Sequence, residues 1–380
     1  MFAVGESSFT RNSWIASVRT PRYLNTEECI HRFREWRSGR GGLNPPKNNE
    51  KGLILKVSVQ NFKTFKKFLG IDDENESGKF PTYTYNRALS TLTIQCSPSS
   101  IHEKAVTTIS KGFTFAFGTL PVNTQDKIDT VTNEKYDNFK GKYAGSEKIA
   151  DLAVQVENDT GVREAKFIVE IGLSESYQKL VQDAELWLKG TETVKIVMLV
   201  KLHENPPYRC PTHNRSDEEF DALKFPSKED INEQCFSISG EYGPATYKDL
   251  VWVGEISGYI EFWGLDEISK LACVKGDRID LLSADKPNKT MDKYLSMSNF
   301  VPGMHHPIHF NSHWAAYLRS LKHYIGQLAA SRCRTTLKDR YGRTNTTDYE
   351  FMPPSPVNSL SGSSSFSTPS PNSPSSANSP

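Results

Sequence analysis

Residues 148–202 limit the fold of this chain more than any other stretch. They read KIADLAVQV, a turn ENDTG, REAKFIVEIG, then SESYQKLVQDAELWL and the almost wholly apolar VKIVMLVKL. Alternating apolar residues on either side of an Asn-Asp-Thr-Gly turn predict a β-hairpin with its turn at Asn158–Gly161. The helix expected over Tyr177–Leu188 shows Leu180, Val181, Ala184 and Leu188 as an apolar stripe, with Ser174 and Ser176 as capping residues. A final strand with almost no polar position suits burial on both faces. A strand–helix–strand unit of this length calls for a parallel crossover.

Side-chain direction gives this unit a chemical reading. Side chains alternate across a strand, so Asp151 shares a face with Ala153 and Gln155, and Glu170 shares one with Ile168 and Gly172. With the turn at 158–161 the two acids converge near one end of the hairpin, with Gln155 as a further neighbour. Oxygen ligands so placed suit hard Mg²⁺ or Mn²⁺, ions that polarise phosphoryl groups and activate water. Acids on an exposed sheet face are also ordinary, and the spacing alone leaves that reading open.

Elsewhere the sequence suggests a short helix at Thr26–Trp36, a strand at Leu53–Val59, and a hairpin of Thr82–Asn86 with Ser90–Cys96. A helix then starts at Ser99 or Ser100 with Ile101, Ala105 and Ile109 on one face. Residues 123–145 are polar and read as a loop or mobile edge. Residues 203–247 are polar and proline-interrupted, an insertion before the strand-like DLVWVGEISGYIEFWGL. The expected organisation is a poorly ordered region at 1–50, an α/β domain at 51–270, an irregular segment and C-terminal helix at 271–342, and a tail at 343–380. From about Pro353 onward that tail is almost all Ser, Pro, Asn, Gly and Thr, a composition that cannot offset chain entropy by burial and so predicts disorder.

Composition bounds the class of partner. Against 46 Lys and Arg stand 45 Asp and Glu, a net charge of +1, so a strongly basic coat-type nucleic-acid binder is excluded but a local basic groove is not. Arg32, Arg34, Arg37 and Arg40 form the one basic cluster near the N-terminus, which also reads as a solvated helix face. No stretch reaches the roughly 18 apolar residues of a membrane span. The N-terminus lacks the apolar core of a secretory signal. Cys29, Cys96, Cys210, Cys235, Cys273 and Cys333 show no CxxC spacing, which favours reduced thiols and a cytoplasmic or nuclear location. His305, His306, His309 and His313, like Cys210 with His213, lack the spacing of a known zinc site. No GxSxG, Walker or GxGxxG motif occurs. Trp252, Tyr259, Phe262 and Trp263 read as core with a partly exposed face that can stack on bases.

The order helix–strand–strand–strand–helix–strand, with Asp in one strand and Glu in the next, is similar to the PD-(D/E)XK restriction-endonuclease-like fold. FIVEIGLSESYQKLVQDAELWLKG with VKIVMLVKL, TLTIQCSPSSIHEKAV and VWVGEISGYIEFWGLD resemble segments of fungal proteins of that superfamily, over roughly residues 80–270. The resemblance implies an α/β nuclease core that hydrolyses phosphodiester bonds of DNA, or less readily RNA, with Mg²⁺ or Mn²⁺. It carries the motif Asp onto Asp151, with Ala150 where the motif has Pro, and the (D/E) position onto Glu170. Glu103 matches an acid that often completes the metal site, though a first-turn acid also answers the helix dipole. Gly172 stands where the motif has Lys. In some members the following helix supplies that ammonium, and Lys179 is the candidate for the catalytic lysine, though it is also spaced to pair with Asp183. A second implication is a nuclease fold without catalysis that binds nucleic acid or protein.

Overall fold

The computed structural model describes residues 23–37, 53–69, 83–94, 99–213, 215–282, 295–299, 308 and 311–337. The Ser/Pro tail, most of residues 1–50, Arg40, Cys96, His305, His306 and His309 lie outside them. The helices are α1 (Thr26–Arg37), α2 (Val59–Leu69), α3 (Ser100–Phe117), α4 (Val122–Gln125), α5 (Tyr177–Gly190), α6 (Asp217–Asp221) and α7 (Asn311–Thr336). The first strands are β1 (Leu53–Lys56), β2 (Tyr83–Asn86), β3 (Thr91–Ile94), β4 (Ile128–Tyr136), β5 (Glu147–Glu157), β6 (Arg163–Gly172) and β7 (Ile196–Asn205). They are followed by β8 (Ser237–Ile238), β9 (Ala245–Tyr247), β10 (Leu250–Val253), β11 (Glu255–Leu265), β12 (Ala272–Val274) and β13 (Ile279–Asp280).

A ten-stranded mixed sheet runs β1-β3-β2-β5-β6-β7-β11-β12, with β4 beside β5 and β13 beside β11. The expected hairpin is β5–β6, antiparallel from Glu157↔Arg163 to Leu152↔Val169. Its turn closes where Asn158 Oδ1 accepts from the Thr160 and Val162 amides, and Gly161 takes a left-handed φ of +79°. That φ is why glycine is the residue there. The expected crossover is also present: α5 carries the chain from β6 to β7, which pair in parallel from Phe167↔Ile196 to Gly172↔Lys201.

Alternation decides what each face of the sheet meets. Leu152, Val154, Phe167, Val169, Met198 and Val200 pack with α3, α7 and the small sheet β10-β9-β8. Ala153, Ile168, Val197 and Leu199 face the other way, against Leu180, Ala184, Trp187 and Leu188 of α5. A third apolar cluster joins α1 and α2 to β1, β2 and β3. The segment 203–247 supplies β8, β9 and α6, so part of the expected insertion is a sheet packed on the first face. Near Gly254 the strand-like run divides into β10 and β11, which belong to different sheets. A Cβ at Gly254 would stand 2.5 Å from the Pro206 carbonyl oxygen, so only glycine passes there.

One expectation needs correction. Residues 123–145 are not a loop: they hold α4 and the nine-residue strand β4, which pairs with β5 from Ile128↔Val156 to Tyr136↔Lys148. Of β4 only Ile128 is buried, and its Thr, Asn, Glu and Lys side chains protect a sheet edge from further pairing. An edge strand of this kind carries no period-two apolar signal. No helix among the described residues is long and apolar enough to cross a membrane. Cys29, Cys210, Cys235, Cys273 and Cys333 carry free thiols.

Candidate functional site

Asp151 and Glu170 stand one register step beyond the last paired residues of the hairpin, Leu152↔Val169. There the strands are joined by a side chain, the Ile171 amide donating to Asp151 Oδ2 at 2.7 Å. On the other edge of β5 the register runs Thr132↔Leu152, then Glu134↔Ala150, and Asn133 between them has φ +57°. The backbone is therefore irregular opposite Asp151. Side-chain alternation breaks at the same point, since Ala150 and Ala153 pack on the α5 face and Leu152 on the α3 face.

That break brings Lys148 under Glu170. The Lys148 ammonium is 3.1 Å from Glu170 Oε2 and 3.0 Å from Asp183 Oδ2, with all three side chains nearly inaccessible. Trp187 of α5 donates its indole N–H to Glu170 Oε1 at 2.6 Å. Lys179 Nζ reaches Asp183 Oδ1 and Oδ2 at 2.5 and 2.6 Å. The result is a chain of alternating charge, Lys179–Asp183–Lys148–Glu170, that ties the first turns of α5 to the hairpin. Burial acts against the Lys148 charge, but Asp183 and Glu170 more than compensate and hold its pKa above the ordinary lysine value.

The α3 N-terminus closes the cluster from the opposite side. Ser99 caps the helix by accepting from the His102 amide, which sets His102 in the first turn. His102 Nε2 lies 3.2 Å from Asp151 Oδ2. Burial disfavours the imidazolium, yet the Asp151 and Glu103 carboxylates outweigh it and raise the His102 pKa to about 10. Burial likewise opposes ionisation of Asp151, and His102 with the Ile171 amide keeps its pKa below the usual carboxylate value.

Charge in this region does not balance. Four carboxyl groups, Asp151, Glu170, Glu175 and Asp183, meet two ammoniums, Lys148 and Lys179, and one imidazole, His102. Burial, with Asp151 and Asp183 nearby, pushes Glu170 up to about 8 despite Lys148. Burial raises Glu175 as well, and its Oε1 is buried with no hydrogen-bond partner. A buried carboxyl oxygen without a partner is costly unless it is protonated or meets a cation.

The residues expected from sequence are therefore gathered unequally. Asp151 and Glu170 share one cluster, and Lys179 joins it through Asp183. Glu103 does not reach it directly: its side chain is half exposed and lies 3.5 Å from His102 Nδ1. Gln155 turns away to Glu134 and Tyr136. Ser176 is the α5 N-cap, accepting from the Lys179 amide. Gly172 has no room for a side chain, since a Cβ there would stand 2.8 Å from Leu180 Cδ1. Trp252, Tyr259, Phe262 and Trp263 are all buried. His313 stacks on Phe115, and Cys210 contacts Thr212.

Sequence reasoning missed His102, Lys148 and Glu175. Strict alternation puts Lys148 on the face opposite Asp151, and the break in alternation between Ala150 and Leu152 undoes that. Among the described residues, no three His, Cys, Asp or Glu side chains form a ready-made metal cage. The donor chemistry nonetheless fits a hard cation: Glu175 Oε1 lacks a partner, Asp151 is 20% exposed, and the cluster holds four carboxyl groups against three basic ones. Comparison of the chain with family models, with curated proteins and with solved structures gave no match, so the functional reading rests on this geometry.

Proposed function

We propose that the protein is a divalent-metal-dependent phosphodiester hydrolase acting on nucleic acid, with a restriction-endonuclease-like core made by α3, β4, β5, β6, α5 and β7. The observation that carries this reading is the placement of Asp151 and Glu170 directly across a hairpin where the strands part, within a cluster richer in acids than in bases. Asp151 and Glu170 are the residues that would hold Mg²⁺ or Mn²⁺, with Glu175 in the place expected of Glu103. The ion, when bound, would polarise the phosphoryl group and acidify a water.

The other roles belong to the chain itself. Lys148, 3% exposed, is a positioning residue that fixes Glu170 from below. Lys179, 11% exposed and in the first turn of α5, is the ammonium placed to meet a substrate phosphate. Asp183 orients both lysines. His102 holds Asp151 Oδ2 and, with the Ile171 amide, fixes the carboxylate.

A second reading is a nuclease fold that has lost catalysis and binds nucleic acid or protein. Two observations favour it: Leu180 excludes any lysine at 172, and both Glu170 oxygens are already engaged by Lys148 and Trp187. Cleavage of labelled single- and double-stranded DNA and RNA, with Mg²⁺, Mn²⁺ or EDTA, decides between them. Metal-dependent cutting lost in Asp151→Asn and Glu170→Gln supports the hydrolase. Folded wild-type protein that cuts nothing overturns it in favour of the binding module.

A further inference from the structure

Beside the acid cluster, on the same face of the sheet, one arginine is held with unusual completeness. Arg278 precedes β13 and donates through Nε and Nη2 to Glu261 Oε1 at 2.9 and 2.6 Å. Its guanidinium lies 3.8 Å from the ring centre of Tyr259 and 5.6 Å from that of Tyr177. Glu261 is itself fixed, accepting at Oε2 from the Tyr177 hydroxyl at 2.9 Å and the Trp263 indole at 3.1 Å. Glu261 is 4% exposed, whereas Arg278 is 50% exposed. The guanidinium is thus backed by the Tyr259 ring while half of the side chain stays exposed, and Nη1 has no hydrogen bond among the described residues.

The location follows from register. Glu170 pairs with Leu199 and Leu199 with Glu261, while Gly172 pairs with Lys201 and Lys201 with Tyr259. Strands lie about 4.8 Å apart, so Glu261, which holds the Arg278 guanidinium, stands two strands, roughly 10 Å, from Glu170. Tyr177 begins α5, two residues before Lys179. The exposed His203 ring, 5.6 Å from Tyr259, flanks the shelf. Burial, Lys201 and Arg278 all lower its pKa, so it is an uncharged ring at neutral pH.

Glu261 already balances the Arg278 charge, so the shelf offers little net attraction to a phosphate. What it offers is a flat, pre-ordered π-surface, the group on which unpaired bases stack. Bases inside a duplex have both faces covered and cannot use it. We propose that Arg278, backed by Tyr259 and flanked by His203, stacks an unpaired nucleobase next to the acid cluster, so that the substrate is a single-stranded or locally unpaired nucleic acid. This rests on the nucleic-acid reading above.

The test is fluorescence anisotropy of full-length protein in EDTA, with 5′-labelled mixed-sequence single strands of DNA and of RNA. An abasic DNA strand of equal length and a duplex of equal length complete the set. The wild type is expected to bind the base-bearing strands about tenfold tighter than the abasic strand or the duplex. Arg278→Lys, which keeps charge but not the plane, is expected to bring base-bearing strands down to the abasic level. Equal wild-type affinity for base-bearing and abasic strands overturns the shelf, and needs no variant. Survival of the preference in Arg278→Lys overturns it too, while the hydrolase reading stands. Absence of binding to every strand overturns both.

Discussion

Leu180 lies directly over Gly172, so near that a Cβ on the glycine would stand 2.8 Å from Leu180 Cδ1. Leu180 is fully buried and cannot swing clear into solvent. The lysine position of the resemblance is therefore closed by packing, and Gly172→Lys is not expected to create or improve activity. Gly172→Ala is expected to destabilise by about 1–3 kcal/mol through overpacking. Pairing it with Leu180→Val is expected to return part of that loss, because contacting residues couple. Strictly additive losses in urea unfolding would show that the two do not press on each other.

Among the described residues, Lys148 is the base that contacts both Glu170 and Asp183, in a nearly inaccessible cluster. Lys148→Met removes that base and leaves two buried carboxylates with less compensation, an expected loss of about 3–5 kcal/mol. The double variant Lys148→Met with Glu170→Gln is expected to be more stable than Lys148→Met alone. Denaturant midpoints of the four proteins measure this, and a double variant weaker than either single one sinks the argument.

His102 gives the metal-free protein a pH signature. Its pKa rises from 6.5 to about 10 in the folded state, because Asp151 and Glu103 overcome the opposing effect of burial. A histidine with a raised folded value contributes stability that is complete below 6.5 and is lost as pH climbs through about 10. Asp151, held below its usual 3.8, contributes above that value and loses its share as pH falls further. The stability advantage of wild type over His102→Gln in EDTA is therefore expected to be greatest between these limits and to shrink steadily from pH 7 to 10. Thermal melts across that range would show it, and an advantage that grows with pH would contradict the pairing.

Divalent ions should act on the same cluster. Mg²⁺ or Mn²⁺ is expected to raise the melting temperature of the wild type, with a gain of about 2.7 kcal/mol at a hundredfold excess over the dissociation constant. Glu175→Gln is expected to reduce that gain and Glu103→Gln to leave it intact. Equal effects from the two variants would remove Glu175 from the proposed ligand set.

Far from this region, Arg332 of α7 donates Nη1 and Nη2 to Glu204 of β7 at 2.6 and 2.8 Å and also bonds the Trp252 carbonyl. Both side chains are almost inaccessible. Arg332→Met is expected to cost about 3–5 kcal/mol by stranding Glu204, without changing nucleic-acid affinity in the folded protein. A shift below 1 kcal/mol in urea unfolding would show that α7 docks by apolar packing alone.

Much of the hairpin and crossover was legible because local signals agree with the tertiary arrangement. Asn158 and Gly161 make the turn, and the turn fixes which residue faces which. Counting outward from Glu157↔Arg163 reaches Val169 opposite Asp151, and it is the register shift between Val154 and Gln155, announced by no local signal, that brings Glu170 there instead. The edge strand β4 was illegible because its neighbours, not its own side chains, supply the apolar contacts. Lys148 was illegible for a related reason: period-two reasoning assumes strict alternation, and β5 breaks it between Ala150 and Leu152. His102 was hidden beside Glu103, whose acidity drew attention away from the imidazole that faces Asp151.

The Asp151 oxygen that accepts from Ile171 has a consequence for reading relatives of this chain. The same carboxylate clasps the open end of the hairpin, so an aspartate at 151 serves folding whatever else it does. Its presence in another chain would therefore be no certificate of activity. Glu175 is the more telling position. Its Oε1 serves no described contact, so folding alone gives no reason for an acid there.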